Sequence, residues 1–177
     1  MRSFRVGASV VAAVAVLLAG CAKDGVAPQE WASRVCQALK PWTEEIATLT
    51  RDAQEQMSKA TSPKQAKENL VALLRGAQDA SEDARRGVRA AGVPAVDNGQ
   101  QIADRFLSAL KAARDSYAKA RRTIEQLSIA DADAFYDGVV AAMDELSKDY
   151  NAGALDTRHL SSEDLQHAFD TAPECQG

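Results

Sequence analysis

The side chains of this 177-residue sequence that are best suited to chemistry are few. They are three cysteines (Cys21, Cys36 and Cys175) and two histidines (His159 and His167). A thiolate can act as a nucleophile, bind a metal or close a disulfide, and an imidazole can transfer protons or bind a metal. None of these residues lies in a G-x-S-x-G, H-E-x-x-H, paired C-x-x-C or glycine-rich phosphate-loop pattern. We therefore predict a protein that is not an enzyme and needs no cofactor.

Metal binding is the next chemistry to consider. Asp164 and His167 are three residues apart and share a helix face, but a carboxylate-bridged site in a helical bundle needs two such pairs and two further acids. A second acidic group, Asp131, Asp133 and Asp137, lacks the twelve-residue calcium-loop pattern and is typical of a helix start. We predict no metal site.

The residues before Cys21 are typical of a signal peptide. Arg2 and Arg5 precede an uncharged run over 6–20, which is shorter than the ~20 apolar residues that a membrane-spanning helix needs. The segment Leu-Ala-Gly-Cys that ends at Cys21 resembles the lipobox of bacterial lipoproteins. That resemblance implies cleavage before Cys21 and a diacylglyceryl group on its sulfur. The alternative is a signal peptide cleaved elsewhere, with Cys21 free.

The predicted organisation follows from this processing. Residues 1–20 are a signal peptide, 21–27 an acylated cysteine with a short tether, and 28–177 a helical domain. Acylation of Cys21 leaves one pair of cysteines, and an exported protein meets an oxidising compartment, so we predict a Cys36–Cys175 disulfide. Two reduced thiols are the alternative.

Helices must position these groups. Apolar residues recur at intervals of three and four along four long segments and one short segment, which predicts an antiparallel four-helix bundle with an extra C-terminal helix. Ser62 is a predicted N-cap, and the short fifth helix is expected to begin at Ser161 or Ser162. Pro41 falls inside the first pattern and is expected to kink the helix or split it at Lys40.

Charge is divided unevenly along the chain. Residues 22–122 carry 17 Lys and Arg against 13 Asp and Glu, whereas residues 123–177 carry 2 against 12. Without residues 1–20 the chain has 19 basic and 25 acidic residues, which disfavours nucleic-acid binding. Either the two signs complement each other between packed helices, or the basic side faces an anionic lipid or polymer surface. The candidate contacts for that surface are Arg85, Arg86, Arg89, Lys111, Arg114, Arg121 and Arg122, with Lys119 nearby.

Several segments resemble a family of small secreted proteins and lipoproteins of actinobacteria. They are AAGVPAVDNG (90–99), the helix around Tyr117, IADADAFYDGV (129–139), the early W-VC-L-W pattern and the closing PECQG. The resemblance implies export, a helical fold and the Cys36–Cys175 pair. It transfers no catalytic residues, since the family has no known activity.

The preferred hypothesis is a non-enzymatic, lipid-anchored binding module on the outer face of the cytoplasmic membrane. Its partner would be the membrane, through the anchor, and an envelope protein or polymer. Trp31 is a candidate partner contact or a staple against Val35. The alternative function is a carrier that holds an apolar ligand between helices, where the alanine-rich stripes of the second and third helices could leave space. The oligomeric state is open.

Overall fold

The computed structural model describes residues 24–60, 62–153 and 160–176. Within them the chain is all-α, and its helices are α1 (Pro28–Lys59), α2 (Pro63–Ala90), α3 (Gly99–Gln126), α4 (Ala132–Gly153) and α5 (Glu163–Thr171). A short 3₁₀ turn, Pro173–Cys175, follows α5. The predicted bundle with a short fifth helix is confirmed.

Cross-helix contacts show that consecutive long helices run antiparallel. On α1 and α2, Trp42 bonds to Ser81, so the middle of α1 lies beside the later part of α2. On α2 and α3, the Lys67 amine donates to the Leu127 carbonyl at 2.8 Å, near the start of one helix and just past the end of the next. On α3 and α4, Lys119 bonds to Glu145, which completes the up-down arrangement.

The apolar core forms two clusters at opposite ends of the bundle. The first joins α1, α2, α3 and α5 around the fully buried side chains of Trp31 and Phe106. The second joins α2, α3 and α4 around Leu74 and Ile124. Helix α5 therefore packs beside α1 at one end, while α4 packs on α3 toward the other.

The helix starts follow local chemistry. The hydroxyls of Ser62 and Ser162 each accept a bond from the backbone N–H three residues later, at 3.3 Å. Asp131 does the same for Ala134 at 3.0 Å. The cap at Ser62 confirms the prediction made for it. These caps satisfy N–H groups that have no partner within the helix.

The sequence predicted either a kink at Pro41 or a split of the first helix at Lys40, and the split is wrong. Helix α1 is continuous through Pro41. A proline removes one backbone hydrogen bond from a helix, but packing along the whole length can outweigh that loss. Here α1 buries residues on both sides of Pro41, from Trp31 and Val35 to Ala53, so packing supports the helix before and after the proline.

Candidate functional site

The segment that precedes α1 is fastened to the turn between α2 and α3. The Val26 N–H donates to the Val93 carbonyl at 2.8 Å, and the Ala95 N–H donates to the Val26 carbonyl at 2.7 Å. We call residues 24–26 the strap. Cys21 and the rest of the predicted signal segment lie outside the described residues, but the strap fixes where the chain arrives at the bundle.

The predicted disulfide is confirmed. Cys36 on α1 and Cys175 in the 3₁₀ turn are bonded, with their Cα atoms 5.1 Å apart, inside the usual range for a disulfide. The link joins the first helix to the last turn, 139 residues along the chain. It therefore holds α5 against α1 at the same end of the bundle as the strap.

The interpretation of Trp31 as a partner contact is wrong. Its side chain is 0% exposed, and its ring packs edge-on against Phe106 and Phe169 at centroid distances of 5.3 and 5.9 Å. The indole Nε1 donates to the Gly92 carbonyl at 2.8 Å. Trp31 lies one helical turn before Val35 and shares its face, which α3 and α5 cover.

Most of the basic residues proposed to face an anionic surface are paired with acids of the chain. Five of the seven form ion pairs: Arg85 with Glu82, Arg86 with Asp83, Lys111 with Asp115, Arg114 with Glu82 and Asp115, and Arg121 with Glu125. The other two, Arg89 and Arg122, are exposed and form no ion pair with the residues that the structure describes. The seven residues therefore do not make one continuous free cationic surface.

Glu82 is the centre of a charged cluster that links α2 to α3. It accepts bonds from Arg85 Nε at 2.8 Å and from Arg114 Nη1 at 2.8 Å. These two hydrogen bonds lower the pKa of the Glu82 carboxyl from 4.5 to about 2, and the bond from Arg85 has the larger effect. Burial opposes them by raising the pKa. The cluster fixes the register of the two helices.

A second charged contact joins α3 to α4. The Lys119 amine donates to Glu145 at 2.9 Å and to Asp149 at 2.7 Å. This contact confirms, for Lys119, the interpretation that the basic part of the chain complements acids of the fourth helix. Nearby, burial raises the pKa of Tyr117 to about 12, and its ring packs against Tyr150.

Helix α4 carries an exposed apolar strip that the sequence reasoning missed. Val140 is 61% exposed and Tyr136 39% exposed, although both are large and apolar. They are four residues apart and therefore neighbours on one face. The inward positions Phe135, Ala142 and Leu146 are buried on the other side. In the sequence, both residues are apolar but lie away from the helix face that carries Phe135, Ala142 and Leu146.

The potential metal ligands do not converge. No group of three or more His, Cys, Asp or Glu side chains that could hold a metal ion occurs among the described residues. His167 lies on α5, and its backbone carbonyl accepts a bond from the Thr171 hydroxyl. His159 lies outside the described residues.

A groove of about 480 Å³ lies between α1 and α2 beside Pro41. Its small side chains are Ala38, Ala80 and Ala84, and Trp42 forms part of its wall. The Trp42 indole donates to the Ser81 hydroxyl at 3.0 Å. Three acids, Glu45, Asp79 and Asp83, also line it.

Comparison with protein-family models, curated proteins and solved structures finds no match to this chain. Within the described ranges, no helix combines the length and the apolar character required to cross a membrane.

Proposed function

We propose that this protein is a non-enzymatic, lipid-anchored binding module at the outer face of the cytoplasmic membrane. The observation that carries the proposal is the strap. Val26 is bonded to Val93 and Ala95, five residues after the predicted acylation site Cys21. Five residues reach at most ~18 Å, so an anchor at Cys21 would keep the α2–α3 turn close to the bilayer.

The disulfide supports export. Cys36–Cys175 would persist in an oxidising compartment and would be reduced in most cytosols. Its position beside the strap also stabilises the end of the bundle that an anchor would pull on. Two acyl chains would anchor the protein stably, whereas one would bind reversibly.

Orientation follows from the same geometry. Helix α3 begins at Gly99, beside the strap, and its 28 residues rise ~42 Å at 1.5 Å each. Arg121 and Arg122 therefore lie more than ~30 Å from the anchored end, whereas Arg89 lies close to it. An upright bundle would place Arg89 near anionic headgroups and present α4 to other envelope components.

The test is processing and localisation of the full chain in a bacterial host that processes lipoproteins. The unmodified chain should fractionate with the membrane, begin at Cys21 and carry a lipid in mass spectrometry. Cys21→Ala should remove the lipid and abolish membrane retention. The control is Cys36→Ser/Cys175→Ser, which removes the disulfide but should keep the lipid. A native N-terminus elsewhere, or membrane retention without Cys21, would contradict the proposal.

Transport of an apolar ligand is the second candidate. Ala77 and Ala113, on the stripes proposed to leave space, are only 2% and 6% exposed, so both are closely packed. The groove beside Pro41 is the observation that favours a carrier, because an indole and three alanines offer apolar surface there. Native lipid co-purifying with the acyl-free chain, and lost in Ala80→Glu, would support it. A purified chain free of lipid, with Trp42 fluorescence unchanged by added fatty acid, would reject it.

A further inference from the structure

The exposed face of α4 combines apolar and acidic side chains. Tyr136 and Val140 form its apolar strip, and Ile129, 44% exposed, lies just before the helix. At 100° per residue, Asp133, Asp137 and Asp144 fall within ~60° of Val140 around the helix axis. All three carboxylates are exposed.

These three carboxylates differ from the other acids of α4. Glu145 and Asp149 are bonded to Lys119, and Asp131 caps the helix. Asp133, Asp137 and Asp144 make no ion pair with any of the described residues. Their charge is therefore available to a partner, beside apolar surface that the bundle leaves uncovered.

We propose that this face of α4 is a docking surface for a basic amphipathic helix of a partner protein. Apolar side chains of that helix would cover Tyr136 and Val140, while its Lys or Arg residues would pair with Asp133, Asp137 and Asp144. Side chains four residues apart on one helix form the ridges that pack against a facing helix. Complementary charge adds specificity and speeds association.

The proposal deepens the proposed function and rests on it, because it names the partner chemistry of the binding module. The position of the face fits that function. Helix α4 starts at the end of α3 that is remote from the strap, so the N-terminal half of α4 would point away from an anchoring membrane. Its negative charge disfavours contact with anionic lipid.

The test measures peptide binding to the chain that begins at residue 21, carrying Cys21→Ser so that no acyl group is present. The probe is a synthetic amphipathic helix with leucine on one face and lysine beside it. A matched peptide carries glutamate in place of lysine. The lysine peptide should bind with an affinity that falls with salt, and the glutamate peptide should bind at least tenfold more weakly.

Two variants separate the apolar and the charged contributions. Tyr136→Ser/Val140→Ser keeps the charge, and Asp133→Asn/Asp137→Asn/Asp144→Asn keeps the apolar strip. Each should weaken binding of the lysine peptide at least tenfold while the helical circular dichroism is unchanged. The control, Glu44→Gln/Glu45→Gln/Asp52→Asn, removes the same charge from exposed positions of α1 and should leave binding within twofold.

Three results would overturn the proposal. If the α1 control weakened binding of the lysine peptide as much as the α4 variants do, the peptide would be attracted only by the net charge of the chain. Self-association of the chain that disappears in Tyr136→Ser/Val140→Ser would assign the face to a second copy. Binding to vesicles of phosphatidylglycerol and phosphatidylcholine that disappears in the same variant would assign it to lipid. The peptide experiment uses an acyl-free chain, so a negative result there does not affect the test of anchoring at Cys21. Likewise, a negative result for anchoring leaves peptide binding to α4 interpretable.

Discussion

The indole of Trp31 and the carbonyl of Gly92 form a 2.8 Å hydrogen bond that joins the start of α1 to the end of α2. Gly92 has a φ of 83°, a conformation that glycine adopts without strain and that ends a helix. The chain then runs directly into the residues that hold the strap. One buried side chain thus connects the core to the backbone turn on which the N-terminal segment lies.

Replacing Trp31 should be costly for this reason. Trp31→Phe keeps an aromatic ring but leaves the Gly92 carbonyl without its donor, which should lower the free energy of unfolding by about 1–3 kcal/mol. Trp31→Ala should lower it by about 3–5 kcal/mol, because it also opens a cavity. Urea unfolding of the acyl-free chain gives both values. Trp42→Phe is the control. Because Trp42 is only half-buried, this substitution should lower the free energy of unfolding less than Trp31→Phe does. An equal loss would argue against a special role for Trp31.

Opening the disulfide should loosen one end of the bundle in particular. Cys36→Ser/Cys175→Ser should cost about 2–5 kcal/mol of stability, since it restores the conformational freedom of a long loop in the unfolded chain. Hydrogen exchange should rise most over 163–175, because the bond holds α5 and the last turn to α1. Uniform acceleration across α2 and α3 would show that the bond acts only on the unfolded state.

The features predictable from the sequence were those set by local chemistry. Ser62 was predicted as a cap because a hydroxyl at a helix start needs only the backbone three residues away. The disulfide followed from the count of thiols and the expected compartment.

Apart from the disulfide, several features that depend on distant parts of the chain were missed. The burial of Trp31 requires α5 to return to α1, and the strap requires the α2–α3 turn to expose backbone groups. The pairing of Arg114 with Glu82 depends on the register between two helices. Periodicity identifies the inward face of a helix but does not identify which cations meet which acids.

Proline in the middle of α1 should limit stability. Pro41 has no N–H, so the carbonyl four residues earlier lacks its helical donor. Pro41→Ala should raise the free energy of unfolding by about 2–2.5 kcal/mol, which is the helix penalty of proline less its stabilising restriction of the unfolded chain. Thermal unfolding of the variant and the unmodified chain measures this gain in stability. Pro63→Ala, at the first position of α2 where no N–H is needed, should bring no such gain. A destabilised Pro41→Ala would mean that the groove beside it requires the proline.

Adding a side chain at Gly25 should destabilise the strap. This residue has a φ of 145°, and a Cβ there would lie 2.7 Å from the Val93 carbonyl oxygen. Gly25→Ala should therefore cost about 1–3 kcal/mol and expose the strap to proteolysis. The control is Gly76→Ala, whose added methyl meets only the mobile end of the Leu49 side chain at 2.9 Å. Resistance of Gly25→Ala to protease, equal to that of the unmodified chain, would show that the strap tolerates a side chain.

The ionised Glu82 should stabilise the fold in a defined range of pH. Its folded-state pKa of about 2 lies below the ordinary value of 4.5, so its contribution is fully present above pH 4.5 and is lost as the pH falls toward 2. Glu82→Gln should lower the free energy of unfolding at pH 7 by about 1 kcal/mol, because solvent screens a partly exposed cluster.

The difference between Glu82→Gln and the unmodified chain should shrink steadily between pH 5 and pH 2. Urea unfolding at a series of pH values follows that difference directly. The control is Glu44→Gln: Glu44 is exposed and forms no ion pair with the described part of the chain, so its stability difference should stay small throughout. A difference for Glu82→Gln that does not change with pH would mean that shape or packing at this position, and not the carboxylate charge held by Arg85 and Arg114, links α2 to α3.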